Sequence, residues 1–388
     1  MSIAGVADLP LHGGKAPRWL FTRMVDLSKG IIKVICLEHG PERFLERVSD
    51  PFWFQSLSCV LGFDWHSSGV STVTCGALKE ALKDENLGLA IAGGKGRASR
   101  KTPEQIRNLG DGLGLGTRQI DALVYTSKMA AKVDNVAIQD NHHLYHHVVF
   151  FTESGSWAVV QQGMDEVRGY ARRYHWYHAN VDDMLEEPHD AILGRRMQMT
   201  LDMTSALSRD CRQTSLDLAK DGIKRLQRLL LSVRPSHQTS LKRWTGEKED
   251  VRLLWMPRRI HWQAMKGIYD FQPGNYEEML AVRGVGPATV RALALVSDII
   301  YGDEPSWRDP VKFSFTVGGK DGVPYPVDRG TMDESIHFLK SGVEESRAGN
   351  REKMRALRRL RRIIPENPSD RVAQQTGSGR TLRQESSP

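Results

Sequence analysis

Residues 147–162 read His147-Val148-Val149-Phe150-Phe151-Thr152, then Glu153-Ser154-Gly155-Ser156, then Trp157-Ala158-Val159-Val160-Gln161-Gln162. Two runs of β-branched and aromatic residues flank four small or polar ones, which predicts two strands joined as a hairpin. Their apolar residues follow one another without alternating with polar ones. Both faces of the pair should therefore be covered, as at the centre of a sheet. Upstream, Ile31, Ile32, Val34 and Ile35 form one apolar group, and Phe52-Trp53-Phe54 begins another that runs to Leu61. Gly93-Gly94-Lys95-Gly96-Arg97 lacks the spacing of a nucleotide P-loop and reads as a flexible loop. Residues 1–165 are thus expected to form a mixed α/β domain around a central β-hairpin.

From Gly163 onward the pattern reads as helical. Leu216, Ala219, Ile223, Leu226, Leu229 and Leu230 recur near a period of 3.6, with Thr214 and Ser215 as N-terminal caps. Residues 232–250 are polar, include Pro235 and read as a linker, and a second helical unit follows from Leu253 to Gly302. Residues 166–345 are assigned to a largely helical domain. Residues 346–388, basic and poor in apolar content, are expected to be a disordered tail. The fold class is α+β.

The chain has 388 residues and a net charge of +7. From Ser341 to Pro388 there are 11 Lys and Arg against 6 Asp and Glu, leaving 43 against 41 in the preceding 340 residues. A polyanion would therefore meet a local basic patch in the folded part, not a global field. No apolar run nears the roughly 18 residues that span a bilayer, and the first residues lack the pattern of a secretory signal. A membrane partner is not expected, and the cytoplasm is the expected compartment. Cys36, Cys59, Cys75 and Cys211 form no C-x-x-C pair and read as reduced thiols, neither a disulfide framework nor a zinc site.

The most informative motif is Tyr276-Glu-Glu-Met-Leu-Ala-Val-Arg-Gly-Val-Gly-Pro-Ala-Thr-Val-Arg-Ala-Leu-Ala-Leu295. A helix should end near Val282, turn through Gly284-Val285-Gly286 and restart at Pro287, since proline suits a first helical position. Met279, Leu280, Val282, Val285, Val290, Leu293 and Ala294 would clamp the two helices together. Glycines at the turn permit positive φ and close approach of a partner. The free N–H groups of the second helix would then favour phosphate. These twenty residues resemble the helix-hairpin-helix of DNA repair and processing proteins. The resemblance implies sequence-independent binding of duplex DNA backbone through Arg283, Gly284, Val285, Gly286, Pro287, Ala288, Thr289 and Arg291. Lys266 would add charge nearby.

A wider resemblance covers residues 5 to about 345. It is carried by residues 5–24 (GVADLPLHGGKAPRWLFTRM), 64–73 (DWHSSGVSTV), 131–140 (AKVDNVAIQD), 157–164 (WAVVQQGM) and 324–336 (PYPVDRGTMDESI). These resemble the bacterial and archaeal family catalogued as domain of unknown function 763, which brings no assigned reaction.

Two groups of residues could carry chemistry. Val327-Asp328-Arg329 resembles the Val-Asp segment that follows the hairpin in helix-hairpin-helix DNA glycosylases, which implies Asp328 as a catalytic carboxylate. Ala288 stands where lyase-active members carry a lysine, so Schiff-base chemistry by that route is not expected. An Asp in this place would also serve as an ordinary helix cap. In the N-terminal region, Asp64, His66, Lys128, Lys132, Asp134, Asp140, His142, His143, His146, His147, Gln161 and Gln162 are residue types used in metal-assisted hydrolysis. His142 and His146 would share a face if their segment were helical. The same residues would equally form a hydrogen-bonded structural layer, and no metal or other cofactor is assigned. Trp244, Trp255, Trp262 and Trp307 read either as base-stacking residues or as core. Three functions stay open: a DNA-binding glycosylase-like enzyme, a metal-dependent nuclease using the N-terminal domain, and a non-enzymatic DNA-binding adaptor. Protein partners are not indicated.

Overall fold

The computed structural model describes residues 9–11, 13, 16–63, 67–233, 256–257, 259–312, 337, 339–346 and 349–363. Asp64, His66, Trp244, Trp255 and Asp328 lie outside them, as does most of the expected 232–250 linker. The chain is mixed α and β, built on an antiparallel sheet with helices on both faces.

The predicted hairpin is the middle of that sheet. Strands β4 (His143–Thr152) and β5 (Trp157–Asp165) pair in register, Val148 opposite Val160 and Phe150 opposite Ala158. Gly155 turns at φ +88, and the Thr152 N–H donates to the Ser156 carbonyl at 3.0 Å. Strand β2 (Leu89–Lys95) lies beyond β4, and β6 (Tyr170–Tyr177) beyond β5. The short strands β1 (Leu9–Pro10) and β7 (Ala191–Leu193) both pair with β6.

The run of consecutive apolar residues feeds two cores, because successive side chains leave opposite faces of a strand. Val148, Phe150, Ala158 and Val160 pack with α1 (Arg18–His39), α2 (Pro41–Ser49), α3 (Pro51–Leu61) and α4 (Gly69–Ala81). The apolar groups at 31–35 and 52–61 are thus buried faces of helices. Asp50 starts α3 by accepting from the Phe52 and Trp53 N–H groups at 2.8 and 3.3 Å. Val149, Phe151, Val159, Tyr174 and Trp176 enter the second core with Leu123 and Val124, which lie on α7 (Thr117–Lys132).

Several expectations from the sequence are corrected. The helical region does not begin at Gly163, since β6 and β7 continue the sheet and the expected 165/166 boundary falls in the β5–β6 hairpin. After β3 (Ile138–Gln139) and its partner β8 (Leu201–Asp202), helices begin with α8 (Arg209–Lys220) and α9 (Ile223–Val233). Thr214 and Ser215 lie inside α8. The single periodic stretch breaks at Gly222, whose φ of +104 is unfavourable for other residues. The glycines 93 and 94 are in strand β2 and not in a flexible loop. A Cβ on Gly93 would lie 2.1 Å from the His147 carbonyl oxygen, so close pairing of β2 with β4 requires glycine there. His142 and His146 sit before and inside β4, so the helical face that would have paired them does not form.

Part of the expected disordered tail, 350–363, is helical. Helix α13 (Asn350–Ile363) packs on α3 with Ala356 and Leu360 buried, and Arg359 Nη2 donates to the Val60 carbonyl at 2.7 Å. Its many arginines hide a narrow apolar stripe at 356 and 360, one helical turn apart.

Candidate nucleic-acid interface

Helices α10 (Trp262–Phe271), α11 (Tyr276–Ala281) and α12 (Pro287–Val296) place the turn 282–286 at the surface. Asn275 caps α11 through its side chain, accepting from the Glu278 N–H at 2.8 Å. Met279, Leu280, Val285, Val290, Leu293 and Ala294 are buried in the second core, where α11 packs on α7 and α8, and α12 on α8 and α9. Gly284 has φ +91 and a Cβ there would press on the His261 ring at 3.1 Å. Gly286 is extended, at φ −139, and a Cβ there would meet no atom within 4 Å. One glycine serves the backbone and the other leaves open space.

The residues expected to touch DNA divide by exposure. Arg283, Gly284 and Pro287 are exposed, and Gly286, Ala288 and Arg291 are half-buried. Val285 and Thr289 are buried, so they build the turn and do not present side chains to a partner. Trp262 and Trp307 are half-buried and pack on the second core.

The turn is tied to the sheet. Lys132, at the end of α7, donates to the Val285 carbonyl. Gln139 Nε2 donates to the Pro287 carbonyl at 2.9 Å, and Arg291 Nε donates to Gln139 Oε1 at 2.7 Å. Tyr125 Oη donates to Glu277 Oε1 at 2.5 Å. These contacts bring two residue groups far apart in sequence to one cleft of about 240 Å³, lined by Asn135, Ile138, Gln139, Asp140, Asn141, His142, His143, Pro257, Pro287, Ala288 and Arg291. Of the cleft residues, Asp140, His142 and His143 belong to the expected polar group. Gln139, Asn135, Asn141 and Pro257 do not, because an amide on a two-residue strand and a lone proline carry no spacing that marks a site.

Asp140 is buried at the cleft floor. Its Oδ2 accepts from Arg172 Nη1 at 2.7 Å and from Tyr174 Oη at 2.8 Å, and Arg172 Nη2 is shared with Asp309 at 2.7 Å. Burial pushes the Asp140 carboxyl up, but the Arg172 guanidinium and the His142 contacts outweigh it and hold the group well below the usual carboxylate range. His142 is 5% exposed; its Nδ1 lies 3.0 Å from the Asp140 carbonyl oxygen and its N–H donates to Asp140 Oδ1 at 2.9 Å. A carbonyl only accepts, so this contact requires a proton on Nδ1. His143 is exposed beside it.

The remaining N-terminal polar residues form a one-way chain of buried hydrogen bonds. Gln161 Nε2 donates to Asp134 Oδ2 at 2.6 Å, so its Oε1 accepts from His147 Nδ1 at 2.8 Å, and His147 Nε2 accepts from Ser127 Oγ at 2.7 Å. Trp176 Nε1 and His189 Nε2 also donate to Asp134, at 3.1 and 2.5 Å. This chain is a structural layer, closed to solvent. On the other face Gln162 Nε2 donates to the Ser68 carbonyl at 2.8 Å. His146 is buried with neither ring nitrogen bonded, and desolvation pushes its pKa down to about 3. Among the described residues no group of three or more His, Cys, Asp or Glu is placed to hold a metal ion.

Exposed cations stand at the sheet end where β4 begins. Lys95, at the end of β2, has Nζ 5.6 Å from the Tyr145 ring centre, and the Gly96 N–H donates to the Tyr145 carbonyl at 2.7 Å. Arg97 and Arg100, on the single turn α5 (Arg97–Arg100), and Lys101 follow in the open.

A family model described as protein of unknown function (DUF763) matches residues 5–327. The chain belongs to the DUF763 family. No curated protein and no solved structure matches this DUF763 chain. Cys36, Cys59, Cys75 and Cys211 are all buried and form no disulfide, and burial pushes the Cys36 and Cys75 thiols up to about 12. Among the described residues no helix is long and apolar enough to cross a membrane.

Proposed function

We propose that this DUF763 protein binds duplex DNA through its phosphate backbone, without reading base sequence, as a protein of DNA repair or processing. The observation that carries this is the start of α12 at an open cleft, with Pro287, Ala288 and Arg291 in its wall and nothing within 4 Å of a Cβ at Gly286. A helix N-terminus presents unpaired N–H groups and a partial positive charge to an anion. The resemblance of residues 276–295 to the helix-hairpin-helix of DNA repair proteins supports the same partner. Exposed Arg283 beside the turn, and Lys95, Arg97, Arg100 and Lys101 at the sheet end where β4 begins, supply further phosphate contacts.

The test is fluorescence anisotropy with labelled duplexes of unrelated sequence, titrated from 50 to 200 mM salt. Equal affinities are expected for the different sequences. The log–log slope should be near −3, corresponding to about three or four neutralised phosphates at roughly 0.9 per contact. Absence of binding at 50 mM salt, or a preference above tenfold for one sequence, refutes the proposal.

A further inference from the structure

We infer that the cleft beneath the turn is a hydrolytic site for phosphodiesters, with His142 Nε2 as the base that activates water. The inference rests on the DNA-binding function proposed above and adds a reaction to it. Three independent features meet in the cleft.

The first is the ring itself. His142 is more than nine-tenths buried, lines the cleft, and has Nδ1 occupied by the Asp140 carbonyl at 3.0 Å. Among the described residues Nε2 has no hydrogen-bond partner, and the ring is part of the cleft lining. His146 and His147, the neighbouring buried histidines, differ: one lacks any partner for either nitrogen and the other has both nitrogens bonded.

The second is orientation. Asp140 holds His142 through its carbonyl and its carboxylate, and is itself fixed by Arg172 and Tyr174. An acceptor on Nδ1 selects the tautomer whose Nε2 lone pair takes up a proton, as a general base must.

The third is the part of the cleft lining supplied by α12. Pro287 and Ala288 begin a ten-residue helix there, and Arg291 lies one turn further on. This wall suits a phosphate, whose charge grows on the non-bridging oxygens as water attacks. The volume, about 240 Å³, falls below the roughly 300 Å³ at which small-molecule pockets begin. It suits one phosphate and its water, presented by a larger molecule that stays outside.

In the reaction the water oxygen forms a new bond to phosphorus while its proton passes to Nε2. The bond from phosphorus to the leaving sugar oxygen breaks, with its electron pair kept by that oxygen, which takes a proton from solvent. The imidazolium then returns its proton to solvent, so the products are one phosphomonoester and one alcohol.

The full chain is assayed on bis(p-nitrophenyl) phosphate and on labelled single- and double-stranded DNA, with Mg²⁺, with Mn²⁺ and with EDTA. Wild type is expected to turn over in at least one condition. His142→Ala should lose a factor of about 100 or more, the usual scale of general-base catalysis, and added imidazole should restore at least tenfold. His142→Gln, which keeps the ring space filled, should lose the same factor with an unchanged circular dichroism spectrum. Wild type that binds duplex but hydrolyses neither substrate overturns this inference and leaves the binding function standing. Hydrolysis of the small diester without duplex binding overturns the binding function instead. Full activity in both variants, or no imidazole rescue of the alanine variant, removes His142 as the base.

Discussion

Gly286→Asp should make the protein more stable and a poorer DNA binder at once. Gly286 is the N-cap of α12, at φ −139 and ψ −178, a conformation open to any residue, and its Cβ would meet no atom within 4 Å. Aspartate is among the best N-cap residues, and its charge also favours a helix N-terminus, so the fold should gain about 0.5 to 1 kcal/mol. The same carboxylate would take the Ala288 N–H and the helix-end charge that a phosphate needs, since Pro287 has no N–H and the Thr289 N–H already donates to the Gly286 carbonyl at 3.0 Å. At about 4 Å two like charges repel by about 1 kcal/mol in water and about 4 at a surface-like effective dielectric, so roughly 2 kcal/mol is expected. That is about a 30-fold weaker Kd. Urea unfolding measures the first quantity, and anisotropy with a labelled duplex at 50 mM salt the second. The neighbouring Gly284→Ala is the contrast: φ +91 and a Cβ 3.1 Å from His261 should cost roughly 1 to 2 kcal/mol of stability. Unchanged duplex affinity in a stably folded Gly286→Asp protein would refute the role of the α12 N-terminus. A loss of stability in that variant would refute the open turn.

Gly93→Ala should fail to fold or unfold far earlier in urea than wild type, because φ is +108 and the added carbon would lie 2.1 Å from the His147 carbonyl oxygen. Leu360→Ala should cost about 2 to 5 kcal/mol as a buried leucine truncation, measured by denaturant unfolding, whereas an unfolded residue 360 would show no change. Acid should destabilise the fold well above the carboxylate range. Burial pushes His146 down to about 3 and His147 down to about 4, so the folded chain keeps both neutral while the unfolded chain takes up protons below about 6.5. Stability is complete above pH 6.5 and falls with pH below it, by about 2 kcal/mol per histidine at pH 5. Urea unfolding at pH 7.5 and pH 5 checks this, and equal midpoints would contradict it.

The residues of 147–162 and 276–295 were enough to place the central strands, the turn between them and the two helices around Gly284. Each depends on local chemistry: β-branched runs, a glycine at positive φ, a proline in a first helical turn. The consecutive apolar residues of β4 and β5 also implied cover on both faces, since period-two geometry sends neighbours to opposite cores. Local pattern failed where the deciding partner is distant. Gly93 looks like loop glycine until His147 lies against it, and two apolar residues among the arginines of α13 become a packing stripe only when α3 is beside them. The cleft belongs to this second class. Nothing within 139–143 announces that Gln139 will reach the Pro287 carbonyl, or that Arg172 will bridge Asp140 to Asp309. Hydrogen bonds between residues far apart in sequence are created by folding, so which of the four histidines at 142, 143, 146 and 147 line the cleft was settled by tertiary structure alone.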